Sequence, residues 1–184
     1  LLATTDRAFR YLVSAHPLAG LLRTQVLARL AALAMRNPRL QRLAFRTVAQ
    51  IGIHYRRGPL SRTAAGVPGD APHAGDRCPW LHLRFAPDGP VEDLYERLDD
   101  TRFTLLVFGQ PAPDAAALLL PERLLAVLAV PQGADNDAEL ARARVPQPAY
   151  YLLRPDGYVG CCGTGAVDPA ALAAWLRDVT GPGA

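Results

Sequence analysis

Two periodicities divide the chain. In its first third, apolar side chains recur at helical spacing: Leu22, Val26, Leu30 and Leu33 share one face of a helix whose other side carries Gln25, Arg29 and Arg36. Pro17, the pair Asn37-Pro38 and the pair Gly58-Pro59 punctuate three such stretches. Thr4 or Thr5 can cap a short one running to Val13. Asn37 as N-cap and Pro38 at the first helical position open the third, where Leu40, Leu43, Ala44, Val48 and Ile51 repeat on one side and Arg39, Arg42 and Arg46 on the other. Each helix shows one apolar face and needs a partner to cover it.

From residue 80 the pattern shortens. Residues 80–85 read as a strand, Pro87-Asp88-Gly89 as a turn, and 91–98 as a helix with Glu92 and Asp93 near its start. The unbroken apolar runs 103–108 and 124–130 predict strands buried on both faces. Helices over 114–120 and 137–143 alternate with them, which makes the sheet parallel there, with right-handed crossovers. Pro155-Asp156-Gly157 then joins strands 150–154 and 158–162 in a hairpin. Asp168 caps and Pro169 opens a last helix with Leu172, Trp175, Leu176 and Val179 on one face.

The order β-α-β-α-β-α-β-β-α is that of the thioredoxin superfamily, and residues 148–159, PAYYLLRPDGYV, resemble its proline, strand, turn, strand signature. In such folds the proline is cis, so a cis peptide is expected before Pro148. The predicted fold class is α/β: a thioredoxin-like domain over 80–184, preceded by an α-helical segment over 1–62. Between them, 63–79 is rich in Gly, Pro, Ala and Asp without apolar periodicity and reads as a linker or a long loop over a surface. Thioredoxin-type redox chemistry needs a low-pKa thiolate at the helix start after the second strand. This chain has Gly109-Gln110-Pro111-Ala112-Pro113-Asp114 there, with no cysteine.

Charge sharpens the division. Residues 1–62 hold eleven arginines against one acid, Asp6, a balance of +10, whereas residues 63–184 hold nine arginines against sixteen acids, a balance of −7. A basic stripe can bind phosphates or an anionic membrane surface, but on a helix it is most simply the solvated face. All 20 basic residues are arginine, which excludes a Walker A loop, a Schiff-base lysine and a lysine general base together. An Ala/Arg/Pro-rich chain without lysine points to a GC-rich bacterial genome. No apolar run approaches the roughly 20 residues needed to cross a bilayer, and the N-terminus lacks the design of a secretory signal, so a cytoplasmic protein is expected. The only methionine is Met35, and a chain beginning with Leu1 reads as a piece of something longer.

Candidate chemistry is sparse. Cys78, Cys161 and Cys162 form no CxxC pair, and adjacent strand residues point to opposite faces, so Cys161 and Cys162 read as packing thiols. The glycines at 157, 160, 163 and 165 lack GxGxxG spacing and follow a hairpin instead of sitting inside a βαβ unit. His16, His54, His73 and His82 show no metal spacing, and no GxSxG motif occurs. Arg154 and Asp156 can pair with each other or with Asp76 and Arg77. No catalytic, cofactor-binding or metal-binding residue is assigned.

Six phrases in order carry a resemblance: TDRAF at 5–9, FRTVAQIGIHY at 45–55, PLS at 59–61, GDRCP at 75–79, RFTLL at 102–106 and LRPDGYV at 153–159. Together they resemble the C-terminal region of flavin-dependent aromatic monooxygenases of the phenol and polyketide hydroxylase type. The resemblance implies closing helices of an FAD and substrate body, then a thioredoxin-like domain without redox cysteines. It implies a parent enzyme that uses FAD and NAD(P)H to hydroxylate an aromatic ring, while this chain alone binds neither and has no chemistry of its own. The family's flavin motifs have no counterpart here, and Cys161-Cys162 stands where relatives often carry Trp-Arg.

The expected partners are the missing FAD and substrate domains, or a second copy in a homodimer, with no nucleic acid and no membrane. Gln50, Tyr55, Asp76 and Arg77 are expected at the junction with that body. The alternative is a free-standing, non-redox thioredoxin-like binding module with a basic helical arm. A thiol oxidoreductase fails for lack of CxxC.

Overall fold

The computed structural model describes residues 25, 29, 32–33, 36–41, 53–113 and 123–180, and the chain divides into two compact units, Leu1–Gly52 and Ile53–Ala184. In the first unit the third helix opens as the sequence requires: Asn37 Oδ1 accepts the Arg39 N–H at 2.9 Å and the Asn37 carbonyl accepts the Gln41 N–H at 3.0 Å. The cap satisfies a donor that the first helical turn leaves without an intrahelical partner. The helices expected over 4–13 and 22–36, the rest of the third helix, and Gln50 lie wholly or largely outside the described residues.

The second unit is built on a mixed sheet. Its elements are β1 (Arg62–Thr63), β2 (His82–Arg84), β3 (Val91–Asp93), α1 (Leu94–Arg97), β4 (Phe103–Phe108), β5 (Leu125–Val130), α2 (Ala134–Arg142), β6 (Ala149–Leu153), β7 (Val159–Thr164) and α3 (Pro169–Thr180). Five strands run in the order β1-β7-β6-β4-β5, with β4 parallel to β5 and β6 antiparallel to both β4 and β7. From β4 to α3 the chain follows the thioredoxin-like sequence of strand, crossover, strand, helix, hairpin and helix. The helix expected over 114–120 falls in the β4–β5 crossover, outside the described residues. The Gln147-Pro148 peptide is cis, as the signature predicts.

β4 is apolar except for the buried Thr104, because both of its faces are covered. Leu106 and Phe108 enter one core with Leu83, Leu94, Leu140 and Tyr151, while Leu105 and Val107 enter the other with Leu172 and Trp175. Asp168 Oδ1 accepts the N–H groups of Ala170 and Ala171 at 3.0 and 3.1 Å, which is the predicted cap of α3.

The front of the domain departs from expectation in two places. The strand predicted over 80–85 exists as β2, but it pairs with β3 in a separate two-stranded antiparallel sheet and not with the central one. Side chains of α2 take up its remaining backbone groups: Glu139 accepts the His82 N–H, and the buried Asn136 amide accepts from Arg84 N and donates to Arg84 O. The helix predicted over 91–98 begins as β3 and becomes helical only at Leu94, because Asp93 Oδ1 accepts the Tyr95 N–H at 2.9 Å and acts as the N-cap itself.

The 63–79 stretch is loop laid on the sheet. Arg62 and Thr63 pair in parallel with Cys161 and Cys162, forming β1. Further on, Gly75 N donates to Val159 O at 2.7 Å, Val159 N to Asp76 O at 2.9 Å, and Cys78 N to Gly157 O at 3.0 Å. Ala71, Ala74, Asp76 and Cys78 are buried in consequence.

Candidate functional site

Gly75 brings two stretches of backbone into contact that a side chain would hold apart. With φ at +89°, a Cβ built there would lie 2.3 Å from Arg56 N and from the Tyr55 carbonyl carbon, and the Tyr55 N–H donates to Gly75 O at 2.7 Å. Only glycine suits this positive φ and this approach. The approach delivers residues 54–56 to the side chain of Asp76.

Asp76 is 7% exposed and fully engaged. Arg56 grips it with both ends of its guanidinium, Nε to Oδ1 and Nη2 to Oδ2, each at 2.7 Å. His54 Nδ1 lies 2.8 Å from Oδ1, and the His73 N–H donates to Oδ2 at 2.9 Å. Burial alone would push this carboxyl up; the Arg56 bonds, the His73 N–H and the nearby charges of Arg56 and His54 outweigh it and hold Asp76 below its ordinary value of 3.8. A bidentate, charge-assisted pair of this kind fixes geometry as well as charge.

Beside this pair stands Tyr158. Tyr55 meets its ring edge-on with centroids 5.1 Å apart, and the Arg77 and Arg154 guanidinium carbons lie 5.9 and 5.7 Å from its centre. Arg154 also pairs with Asp156 through Nε and Nη2. Tyr55, Pro59, Leu60, Tyr158 and Arg154 line an open, mainly apolar cleft of about 310 Å³. Tyr55 and Leu60 in this lining are exposed, as is Arg77 beside the Tyr158 ring.

The structure therefore gathers Tyr55, Asp76 and Arg77 near Tyr158, Asp76 buried and the other two exposed, and Gln50 lies outside the described residues. Of the pairings open to Arg154 and Asp156, the one with each other forms, while Asp76 takes Arg56 and His54 instead. Sequence reasoning missed Arg56, His54 and Tyr158 as members of this cluster. Arg56 lies 20 residues from Asp76, so no local spacing signals the pair; the glycine at 75 was the one available hint of a close backbone approach.

In the cysteine-free stretch after β4, Gln110 ties the loop to its neighbours. Its Nε2 donates to Ala149 O at 3.1 Å and Gly165 O at 2.8 Å, and its Oε1 accepts the Val167 N–H at 3.2 Å. The three cysteines are free, buried and held as thiols. Burial pushes Cys78 up to about 12 against the opposing charge of Arg77, and burial together with Cys162 pushes Cys161 up to about 11. Cys162 is raised by burial too, partly offset by the Thr63 hydroxyl. A thiolate nucleophile is thus disfavoured at every cysteine.

Neither the loop after β4 nor the glycine run of the hairpin offers a seat for the pyrophosphate of FAD. A pyrophosphate needs a run of free backbone N–H groups after a strand. Here β4 leads into Pro111 and Pro113, which have none. The glycine run after the hairpin is covered by aromatic rings: a Cβ at Gly160 would lie 2.5 Å from Trp175 Cη2, and one at Gly163 would lie 2.6 Å from the Tyr150 hydroxyl. Among the described residues no group of three His, Cys, Asp or Glu side chains could hold a metal ion, and no helix is long and apolar enough to cross a membrane.

Residues 71–183 match the family described as aromatic-ring hydroxylase, C-terminal. No curated protein matches the chain. Among solved structures, OxyS anhydrotetracycline hydroxylase from Streptomyces rimosus is 22% identical with a TM-score of 0.53, over 85% of this chain and 29% of that one. The flavin-dependent monooxygenase PieE, in complex with FAD and substrate, is 23% identical with a TM-score of 0.49, over 94% of this chain and 32% of that one. Aklavinone-11 hydroxylase, in a ternary complex with FAD and aklavinone, is 24% identical with a TM-score of 0.44, over 61% and 22%. The chain spans less than a third of the length of each.

Proposed function

The chain belongs to the aromatic-ring hydroxylase C-terminal family, and on that premise we propose that it is the closing part of an FAD-dependent, NAD(P)H-using aromatic hydroxylase, which supports and docks on the flavin-bearing body without performing chemistry itself. The observation that carries this reading is the family match over 71–183 on a domain whose thiols are all buried and raised. Such a domain offers surface and stability, not a nucleophile.

The Asp76 and Tyr158 cluster supports a docking role. The ion pair locks residues 54–56 onto the domain, and the lock leaves Tyr55, Leu60 and Arg77 exposed beside an apolar cleft. Aromatic and arginine side chains at the edge of a pocket are the residue types that carry energy at protein interfaces. The body that covers them supplies the residues that hold FAD.

The reading frame upstream of Leu1 tests this. An in-frame GxGxxG followed by flavin motifs is the expected result, and the joined protein purifies with bound FAD and oxidises NAD(P)H, whereas the chain by itself shows no flavin absorbance. A start codon at Leu1, tightly held flavin on the isolated chain, or reduction of insulin disulfides by it overturns the reading.

A further inference from the structure

Pro-Asp-Gly occurs twice in the chain, at 87–89 and at 155–157, and the fold treats the two copies differently. Asp-Gly is the dipeptide in which an aspartyl side chain most readily reaches its own backbone, because glycine has no Cβ to keep the amide nitrogen away from the carboxyl carbon. In a folded chain, what holds the carboxylate and the amide decides whether that approach is made.

In the hairpin copy both are held. Asp156 Oδ1 accepts from Arg154 Nε at 3.1 Å and from Tyr158 N at 3.2 Å, and Oδ2 accepts from Arg154 Nη2. The Gly157 N–H donates to Arg154 O at 2.9 Å, Gly157 O accepts the Cys78 N–H at 3.0 Å, and Gly157 is buried. Burial pushes the Asp156 carboxyl up, but the Arg154 bonds, the Tyr158 N–H and the Arg154 charge outweigh it and hold it below its ordinary value of 3.8. The neutral acid, the form whose hydroxyl can leave, is correspondingly rarer there.

The copy between β2 and β3 is open. Ala86, Pro87 and Asp88 are exposed, and among the described residues no hydrogen bond or ion pair holds the Asp88 carboxylate. One turn bond, from the Gly89 N–H to Ala86 O at 3.0 Å, occupies the amide. The other tether nearby, the Arg84 guanidinium on Gly89 O, holds the carbonyl after the glycine and leaves the Asp88 side chain free to turn.

We propose that Asp88 is a modification site, at which the folded chain slowly rearranges its own backbone to isoaspartate while Asp156 is spared. The Gly89 nitrogen attacks Asp88 Cγ, its proton leaves with the carboxyl hydroxyl as water, and a five-membered succinimide closes through the new Cγ–N bond. Water then adds to the ring. Addition at Cγ restores aspartate, whereas addition at the backbone carbonyl breaks the original C–N bond and carries the chain through the former side chain. One water is lost and one regained, so the mass is unchanged and no oxidant or reductant is needed. The product lengthens the turn between Arg84 and Val91, which are paired across β2 and β3, by one methylene and leaves a free α-carboxylate at the surface. The inference stands apart from the flavin reading, since its readouts involve neither flavin nor NAD(P)H.

The test incubates the full chain at neutral pH over weeks, digests it with trypsin, and treats the peptides with isoaspartyl O-methyltransferase and labelled S-adenosylmethionine, which methylates the freed α-carboxylate. Cleavage after Arg84 and Arg97 isolates Asp88 in peptide 85–97, and cleavage after Arg144 and Arg177 leaves Asp156 in peptide 145–177, the Arg154-Pro155 bond being resistant. Label is expected to accumulate in 85–97, and about tenfold or more slowly in 145–177, where charge-assisted bonds must break first. Asp88→Glu, whose ring would be six-membered, is expected to abolish labelling of 85–97 with circular dichroism unchanged. Arg154→Ala is expected to raise labelling of 145–177 about tenfold. Should that variant misfold, the wild-type chain incubated in guanidinium chloride keeps the test alive, both peptides then labelling at similar rates. An unlabelled 85–97, equal labelling of the two peptides in the folded chain, labelling of 85–97 that survives Asp88→Glu, or a 145–177 peptide that stays silent even in denaturant overturns the proposal.

Discussion

At Asp76, burial and hydrogen bonding pull the same carboxyl in opposite directions, and the outcome sets how the domain responds to acid. Removing a carboxylate from water favours its neutral form, yet Arg56, the His73 N–H and the charge of His54 leave its affinity for protons below the ordinary value. The folded-state pKa is therefore depressed relative to the unfolded chain. The stabilisation is complete above the unfolded carboxyl's value and is lost as the pH falls through the folded one. Asp76→Asn should cost about 1–3 kcal/mol at neutral pH, the Arg56 end being half exposed and able to rehydrate. Urea midpoints measured across pH should show the gap between variant and parent closing on the acid side; a gap independent of pH would contradict this account. Asp76 itself was marked in the sequence, but its partners were not, because an ion pair between residues 20 apart leaves no periodic trace.

Among the elements, Gln110 joins segments that are far apart in sequence. One carboxamide ties the end of β4 to the start of β6 through Ala149, to the end of β7 through Gly165, and to the approach to α3 through Val167. Gln110→Ala leaves those backbone groups without their partner and should lower stability by about 1–3 kcal/mol, read as a lower melting temperature with unchanged secondary structure. Element type was legible wherever the pattern was strong. The runs at 103–108 and 124–130, the hairpin and the Asp168 cap appear within a residue or two of their predicted bounds. The weak elements were not. β2 was readable as a strand but not as one excluded from the central sheet, since the exclusion is made by Asn136 and Glu139 from α2, more than 50 residues away.

On the scale of the molecule, the sheet of the second unit separates two cores of described residues and distributes the cysteines between them, Cys162 with Cys78 on one side and Cys161 with Trp175 on the other. Burial and raised pKa together predict that the native chain resists iodoacetamide at pH 8, all three thiols reacting only once denaturant is added. Rapid labelling of a native thiol would show that one of these cores opens readily. The opposite facing of Cys161 and Cys162 followed from sequence, because successive strand residues must alternate. So did the α/β class, a matter of local pattern, while the cis Pro148 followed from the resemblance of residues 148–159 to the thioredoxin signature. What the tertiary structure alone decided is which backbone and side-chain groups meet: Arg56 with Asp76, Asn136 with β2, and Arg62-Thr63 with β7. Local periodicity records which residues avoid water, whereas the satisfaction of buried polar groups depends on segments that only the folded chain brings together.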